Sequence, residues 1–300
     1  MVEPNFLATW KKSANFQQIP EESYRPKVRV VSDPSGRSSY TFGVIFNPHR
    51  FQRPNIGQSG ECPLCNVVSN SYDNPILNLV YGGDHSFVVV ANQFPTHEAH
   101  SLAVDRGTLD KEKAMYTTRD LGDLAQRMNE VFSFANRNNV RVFHNSEGAG
   151  ASIPRHEHWH LTNFLALYGL IGEEYGFENA SCEPTKEDRY VNVMPHFPFA
   201  HLLFDDKDPD KIVSFLRRLD RSIGTKFGPR GVPHVLCQGR EGILVVPARY
   251  KERGIGAGDI AGHHVVKTIE EFEKADFDFC IARLNEQLIP KEEVRLESLL

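Results

Sequence analysis

The chain has 300 residues, enough for one large domain or two packed smaller ones. Its hydrophobic content of 40% and charged content of 24% are those of a globular protein. A formal net charge of −5 supplies no basic field for duplex nucleic acid, and no apolar run approaches the ~20 residues that span a bilayer. The opening MVEPNFLATWKK lacks the apolar centre of a signal peptide, so the cytoplasm is the expected location. Five cysteines, an odd and sparse set, do not make a disulfide framework.

In chain order, residues 1–60 read as an irregular extension rich in Pro, Ser and Arg, with one strand over Ser39–Phe46. Cys62-Pro-Leu-Cys65 follows. No thioredoxin-like pattern surrounds it, so this pair reads as metal-binding rather than redox. Strands are expected over Asp84–Ala91 and His100–Val104. Thr117 with Asp120 three residues later reads as a helix cap, and the following helix gathers Leu121, Leu124, Ala125, Met128, Val131, Phe132 and Ala135 on one face. Val140–Phe143 and His156–Leu161 are the next strands, before a charged, loop-rich stretch from Gly172 to Arg189.

A second unit then echoes the first. Ala99-His-Ser-Leu-Ala-Val is matched by Ala200-His-Leu-Leu-Phe-Asp. Asp208-Pro209 opens an amphipathic helix that Gly224 is expected to stop. Val232–Cys237 parallels Val140–Phe143, and Gly242–Pro247 takes the place of the histidine strand without histidines. This order reads as an internal duplication in which one copy kept its chemistry. Thr268 to Leu288 is expected to be helical. The expected division is an extension over 1–60, a catalytic unit over 61–170, and a degenerate second unit with a C-terminal helix over 171–300. The fold class is α+β, with antiparallel sheets and flanking helices.

The chemistry concentrates in His156-Glu-His-Trp-His160. Alternate side chains of a strand share a face, so three imidazoles can converge on one site. They can ligate a metal, or the middle one can attack phosphorus while the outer two orient it or meet the leaving oxygen. The preceding segment favours phosphorus. Gly148, Ala149, Gly150, Ala151 and Ser152 are small enough for backbone to approach phosphate oxygens.

The segment from Asn145 through His160 (NSEGAGASIPRHEHWH) resembles the active-site segment of the histidine-triad (HIT) superfamily, in its transferase and phosphorylase branch. It is most similar to GDP-hexose phosphorylases, and Val232–Pro247 with Ala261–Lys267 resembles the C-terminal half of that group. Asn47-Pro-His-Arg-Phe-Gln-Arg-Pro54 and Asn92-Gln-Phe94 resemble segments of galactose-1-phosphate uridylyltransferases.

The resemblance implies two HIT-like units and a covalent nucleotidyl-histidine at His158. His158, His160 and Ser152 form the implied catalytic group. Arg50, Arg53, Asn92, Phe94, Asn145, Ser146, Gly148, Gly150 and Ala151 form the implied substrate-binding group. It implies a structural zinc on Cys62, Cys65 and His156. That family's last zinc histidine falls near Gly107, where this chain has none, and His100 or His97 is the stand-in.

The substrate implied is a nucleoside-diphosphate sugar or dinucleoside polyphosphate, and the acceptor inorganic phosphate or a sugar phosphate. The protein is expected to be a monomer or homodimer. Gln93 replaces an acidic residue of the uridylyltransferases, so their uridine preference does not carry over. His160 stands where this branch carries glutamine and hydrolases carry histidine, which keeps hydrolysis open. A non-catalytic nucleotide- or metal-binding protein is the remaining alternative.

Overall fold

The computed structural model describes residues 6–16, 18–36, 41–52, 62–66, 68, 87–106, 116–153, 156–162, 183–184, 191–193, 198–204, 208–238, 242–252, 254–294 and 296–299. The expected loop from Gly172 to Arg189 lies almost wholly outside them, as does Arg53. Among the described residues no helix is long and apolar enough to cross a membrane.

The strands are β1 (Lys27–Ser32), β2 (Thr41–Phe46), β3 (Phe87–Ala91), β4 (Ser101–Asp105), β5 (Arg141–Asn145), β6 (His158–Thr162), β7 (Glu183–Pro184), β8 (Val191–Val193), β9 (Leu202–Phe204), β10 (His234–Gln238), β11 (Ile243–Pro247) and β12 (His263–Val266). Nine of them form one sheet in the order β3-β4-β6-β5-β10-β11-β9-β8-β7, every pairing antiparallel. Outward from the central β5–β10 pair, one half runs β5-β6-β4-β3 and the other β10-β11-β9-β8. The expected duplication therefore appears as a pseudo-twofold sheet. β1, β2 and β12 form a small second sheet.

The two faces of the large sheet differ. On one pack α1 (Phe6–Phe16), α3 (Leu124–Arg137) and α4 (Pro209–Phe227); the short α2 (Glu21–Tyr24) lies between α1 and β1 in the chain. Phe87, Val89, Ala103, Val142, Trp159, Leu161, Leu236 and Val245 point into this helical core. The opposite face carries two separate apolar clusters. Val88, Val90, Leu102 and Val104 pack with Cys62, Leu64, Val68 and Ile153. Phe143, Val235, Cys237, Leu244 and Val246 pack against Phe42 and Val44 of the small sheet, α5 (Ala257–Ile260) and α7 (Phe277–Asn285). The histidines of β6 rise between these clusters, because period-two alternation sends Trp159 and Leu161 into the helical core and His158 and His160 the other way.

Several local expectations are corrected. The N-terminal extension is not irregular: α1 buries Phe6 and Trp10, and the Trp10 indole N–H donates to the His100 carbonyl at 3.1 Å. Thr117 does not cap α3. Its hydroxyl accepts from Asp120 N–H at 3.1 Å in a tight turn, and the helix begins only at Leu124. Gly224 does not stop α4, which continues to Phe227; a Cβ at Gly224 would meet Asp220 Oδ1 at 2.2 Å. The C-terminal helix is two. Thr268 caps α6 (Ile269–Lys274), the chain turns extended at Ala275, and Asp276 caps α7. Arg29 of β1 donates to the Phe272 and Ala275 carbonyls, satisfying acceptors that the helix end leaves open.

Buried histidines make the fold acid-sensitive. Burial drives His201, His234 and His263 down to about 3 and His264 to about 4. The folded state holds these rings neutral, whereas the unfolded chain protonates them near pH 6.5. Below that value the unfolded state binds more protons, so stability is complete above it and is lost as pH falls toward 4. The urea midpoint is expected to be flat above pH 7 and to fall steadily from pH 6.5 to 4.5. A midpoint independent of pH over that window would contradict this.

Candidate active site

β6 lies between β4 and β5, with Val104 opposite His158 and Leu102 and Phe143 on either side of His160. His158 is 1% exposed. Its Nδ1–H donates to the His156 carbonyl at 2.8 Å, which leaves the Nε2 lone pair as the reactive position. Burial lowers its pKa to about 4, against the opposing pull of the His156 carbonyl and the Glu157 charge. At neutral pH the ring is an uncharged imidazole with one defined tautomer, the state a nucleophile needs.

His156 faces away from this position. Its Nε2–H donates to the Asp105 carbonyl at 2.7 Å, and its Nδ1 lies 3.4 Å from Cys62 Sγ and 3.2 Å from Cys65 Sγ. Both cysteines sit on a helical turn over residues 63–66 and its entry. Burial pushes the Cys62 thiol up, but its contacts with His156 and Cys65 outweigh it and hold it below its usual value. The three ligand atoms lie within 4.8 Å of one another. Two thiols and an imidazole whose second nitrogen is fixed by a carbonyl are a donor set suited to zinc. Among the described residues no fourth ligand joins them.

His100, expected as that fourth ligand, is placed elsewhere. Its Nδ1 accepts the Thr96 N–H at 3.2 Å, so in the neutral ring Nε2 carries the proton. Two groups flank that nitrogen, Asn92 Nδ2 at 3.1 Å and His160 Nδ1 at 3.0 Å, and only the histidine can accept. His160 then holds its own proton on Nε2. His97, the other stand-in, hydrogen-bonds Thr96 Oγ1 and Thr162 Oγ1 and is equally outside the cysteine cluster. The reason is register: pairing Leu102 with His160 brings the chain just before β4 beside β6, not beside Cys62.

The Asn47–Gln52 segment closes on the same region. Asn47 Nδ2 donates to the Ser23 and Pro95 carbonyls, and Arg50 donates to the Phe94 carbonyl. The Arg50 charge contributes, after burial and His263, to holding His97 well below its usual value. His49, not singled out in the sequence, stacks on Phe94 with centroids 5.4 Å apart. Arg50, Asn92, Phe94, His100 and His160 are thus brought together.

The 145–153 segment is built differently from the expected open cradle. Asn145 Oδ1 accepts from Ala257 N–H at 2.7 Å, and Ser146 Oγ from His234 N–H at 2.7 Å. Gly148 and Gly150 have φ of +78° and +83°. A Cβ on Gly148 would meet the Tyr250 ring at 2.3 Å, and one on Gly150 the Ile255 carbonyl at 2.4 Å. The small residues therefore serve close packing against the C-terminal half, with Ala149 and Ala151 buried and Ser152 exposed at the far end. Gly150→Ala combines an unfavourable φ with a backbone clash, so a loss of about 2–3 kcal/mol in denaturant unfolding is expected. An unchanged midpoint would contradict the close approach.

These elements define a duplicated α+β fold with a paired-histidine site on one face. No protein-family model and no curated protein matches the chain. Solved structures of yeast Ap4A phosphorylase share its fold. The complex with Ap4A superposes with a TM-score of 0.64 at 17% identity, covering 97% of this chain and 99% of that one. The AMP complex gives 0.63 at 16% identity, covering 97% and 98%.

Proposed function

We propose that the protein is a nucleotidyltransferase of the phosphorylase type, acting on a dinucleoside polyphosphate or a nucleoside-diphosphate sugar. The observation that carries this reading is the tautomer of His158, whose Nδ1–H is tied to the His156 carbonyl while Nε2 remains a neutral lone pair. His158 Nε2 attacks the α-phosphorus, and the nucleotide stays on the ring as the remaining phosphate or sugar phosphate leaves. Inorganic phosphate or a sugar phosphate then takes the nucleotide, in a ping-pong cycle. Arg50 holds phosphate charge beside the Asn92–Phe94 loop, as Arg53 does in the same segment. Ser152, at the exposed end of the 145–153 loop, meets phosphate oxygens with the neighbouring backbone. Cys62, Cys65 and His156 would hold a zinc, which would supply a structural cross-link. His156 itself contributes its carbonyl, which orients the nucleophile. The fold shared with yeast Ap4A phosphorylase supports this class.

A second reading, hydrolysis through the same intermediate, is favoured by one contact. His100 directs the His160 proton to Nε2, giving the site a donor for a leaving oxygen and a partner for water. One assay separates the two. Ap4A and nucleoside-diphosphate hexoses are incubated with and without phosphate, and product masses are read. Turnover that requires phosphate supports the phosphorylase; nucleoside monophosphate released in its absence supports hydrolysis. No nucleotide on His158 under any condition would reject both and leave the non-catalytic alternative.

A further inference from the structure

Behind the histidine strand, on its helical face, sits a carboxylate with no exposure. Glu157 lies between His156 and His158 in the chain. Its Oε2 accepts the Tyr116 N–H at 3.2 Å, and its Oε1 lies 3.0 Å from Nε2 of His144, itself fully buried on β5. Trp159 covers the His144 ring at 4.3 Å between centroids. The Tyr116 N–H is the hydrogen-bond donor to this carboxylate, while His144 Nε2 lies close to Oε1 without a hydrogen bond to it. Burying a carboxylate is costly, and an apolar side chain of that volume would fill the same space at less cost. Packing alone therefore gives no reason for a glutamate here.

The chemistry at His158 gives one. In the attack, the Nε2 lone pair forms the bond to the α-phosphorus. The phosphorus–oxygen bond breaks, and the leaving oxygen departs with its electron pair. Nδ1 keeps its proton on the His156 carbonyl, so the ring ends as an N-phosphorylated imidazolium with one positive charge. That charge forms on a side chain with 1% exposure, where water cannot offset it. A fixed negative charge on the adjacent residue acts through a low-dielectric interior, where such interactions are strong.

We propose that Glu157 is a positioning residue whose buried carboxylate is the counter-charge of the covalent intermediate on His158, an inference that rests on the nucleotidyl-transfer reading above. The Tyr116 N–H holds the carboxylate in place behind the strand, with the His144 ring packed beside it. The test is rapid-quench measurement of His158 loading with Ap4A and with a nucleoside-diphosphate hexose, alongside KM, zinc content and melting temperature. Glu157→Gln keeps shape and removes charge; loading is expected to slow about tenfold with KM and zinc content unchanged. Glu157→Asp restores the charge and is expected to recover most of that rate, which a purely structural role would not produce. Glu157→Gln loading at the wild-type rate overturns the inference alone. If that variant does not fold, Glu157→Leu, apolar and of similar volume, takes its place, and loading by it at the wild-type rate overturns the inference instead. A wild type that takes no nucleotide from either probe overturns the inference together with the functional reading beneath it.

Discussion

Replacing His158 with alanine is expected to abolish the covalent adduct and to lower kcat and kcat/KM together by at least about a thousandfold. The reaction runs through a single lone pair. His158 Nδ1 is committed to the His156 carbonyl, so only Nε2 can attack, and burial keeps it unprotonated at neutral pH. None of the neighbouring rings is interchangeable with it. His160 has its Nδ1 engaged by His100, and His156 directs its Nδ1 to the cysteines and its Nε2–H to Asp105. Substrate contacts assigned to Arg50, Asn92 and Phe94 lie on other segments, so KM is expected to stay within about threefold. The ring is buried, so its removal is also expected to lower stability by about 1–3 kcal/mol, and melting temperature separates that from the kinetic loss. Intact mass after incubation with substrate checks the adduct. Turnover at the wild-type rate by the alanine variant would rule out His158 as the nucleophile.

The histidine face was legible because strand periodicity is local. His158 and His160 share a face as expected, and Trp159 and Leu161 mark the buried side, but β6 begins only at His158, so His156 leaves the expected trio and turns to Cys62 and Cys65. The duplication was legible in the order of its elements, because β4-α3-β5-β6 and β9-α4-β10-β11 repeat the same pattern of helix and strand. What failed depended on distant partners. Whether His100 meets a metal or His160 is decided by the β4–β6 register, which no local pattern reveals. The α6–α7 break is held by Arg29, more than 240 residues away in the chain. The glycines of the 145–153 segment signalled close backbone approach correctly, but the approaching groups are Tyr250 and Ile255 of the second half. α1 was missed because Ser13 interrupts the apolar stripe of Phe6 and Trp10, although Ser13 is itself fully buried. Glu157 gave no signal at all in a motif dominated by its histidines.

The second large effect concerns the cysteine cluster. Cys65→Ser is expected to eliminate stoichiometric zinc and to lower the melting temperature by about 10 °C, and chelation of the wild type is expected to do the same. Cys62, Cys65 and His156 converge from two parts of the chain, a helical turn and the approach to β6. A metal there would tie them together, and its binding energy would add to folding energy because the unfolded chain has no preformed site. Such a tie would also reach the nucleophile. His156 is fixed by the Asp105 carbonyl behind it, and Asp105 is in turn held by a buried ion pair with Arg127 of α3 at 2.7 Å. The same His156 supplies the carbonyl that sets the His158 tautomer. Loss of the cross-link should therefore loosen that carbonyl and slow adduct formation more than it changes KM. Arg127→Met tests the chain from its far end: zinc affinity is expected to fall about tenfold, read by competition with a chelating dye. Wild-type zinc affinity in that variant would show that Asp105 orients His156 without help from the helix. A Cys65→Ser protein with full zinc content and an unchanged melting temperature would remove the metal from the account altogether.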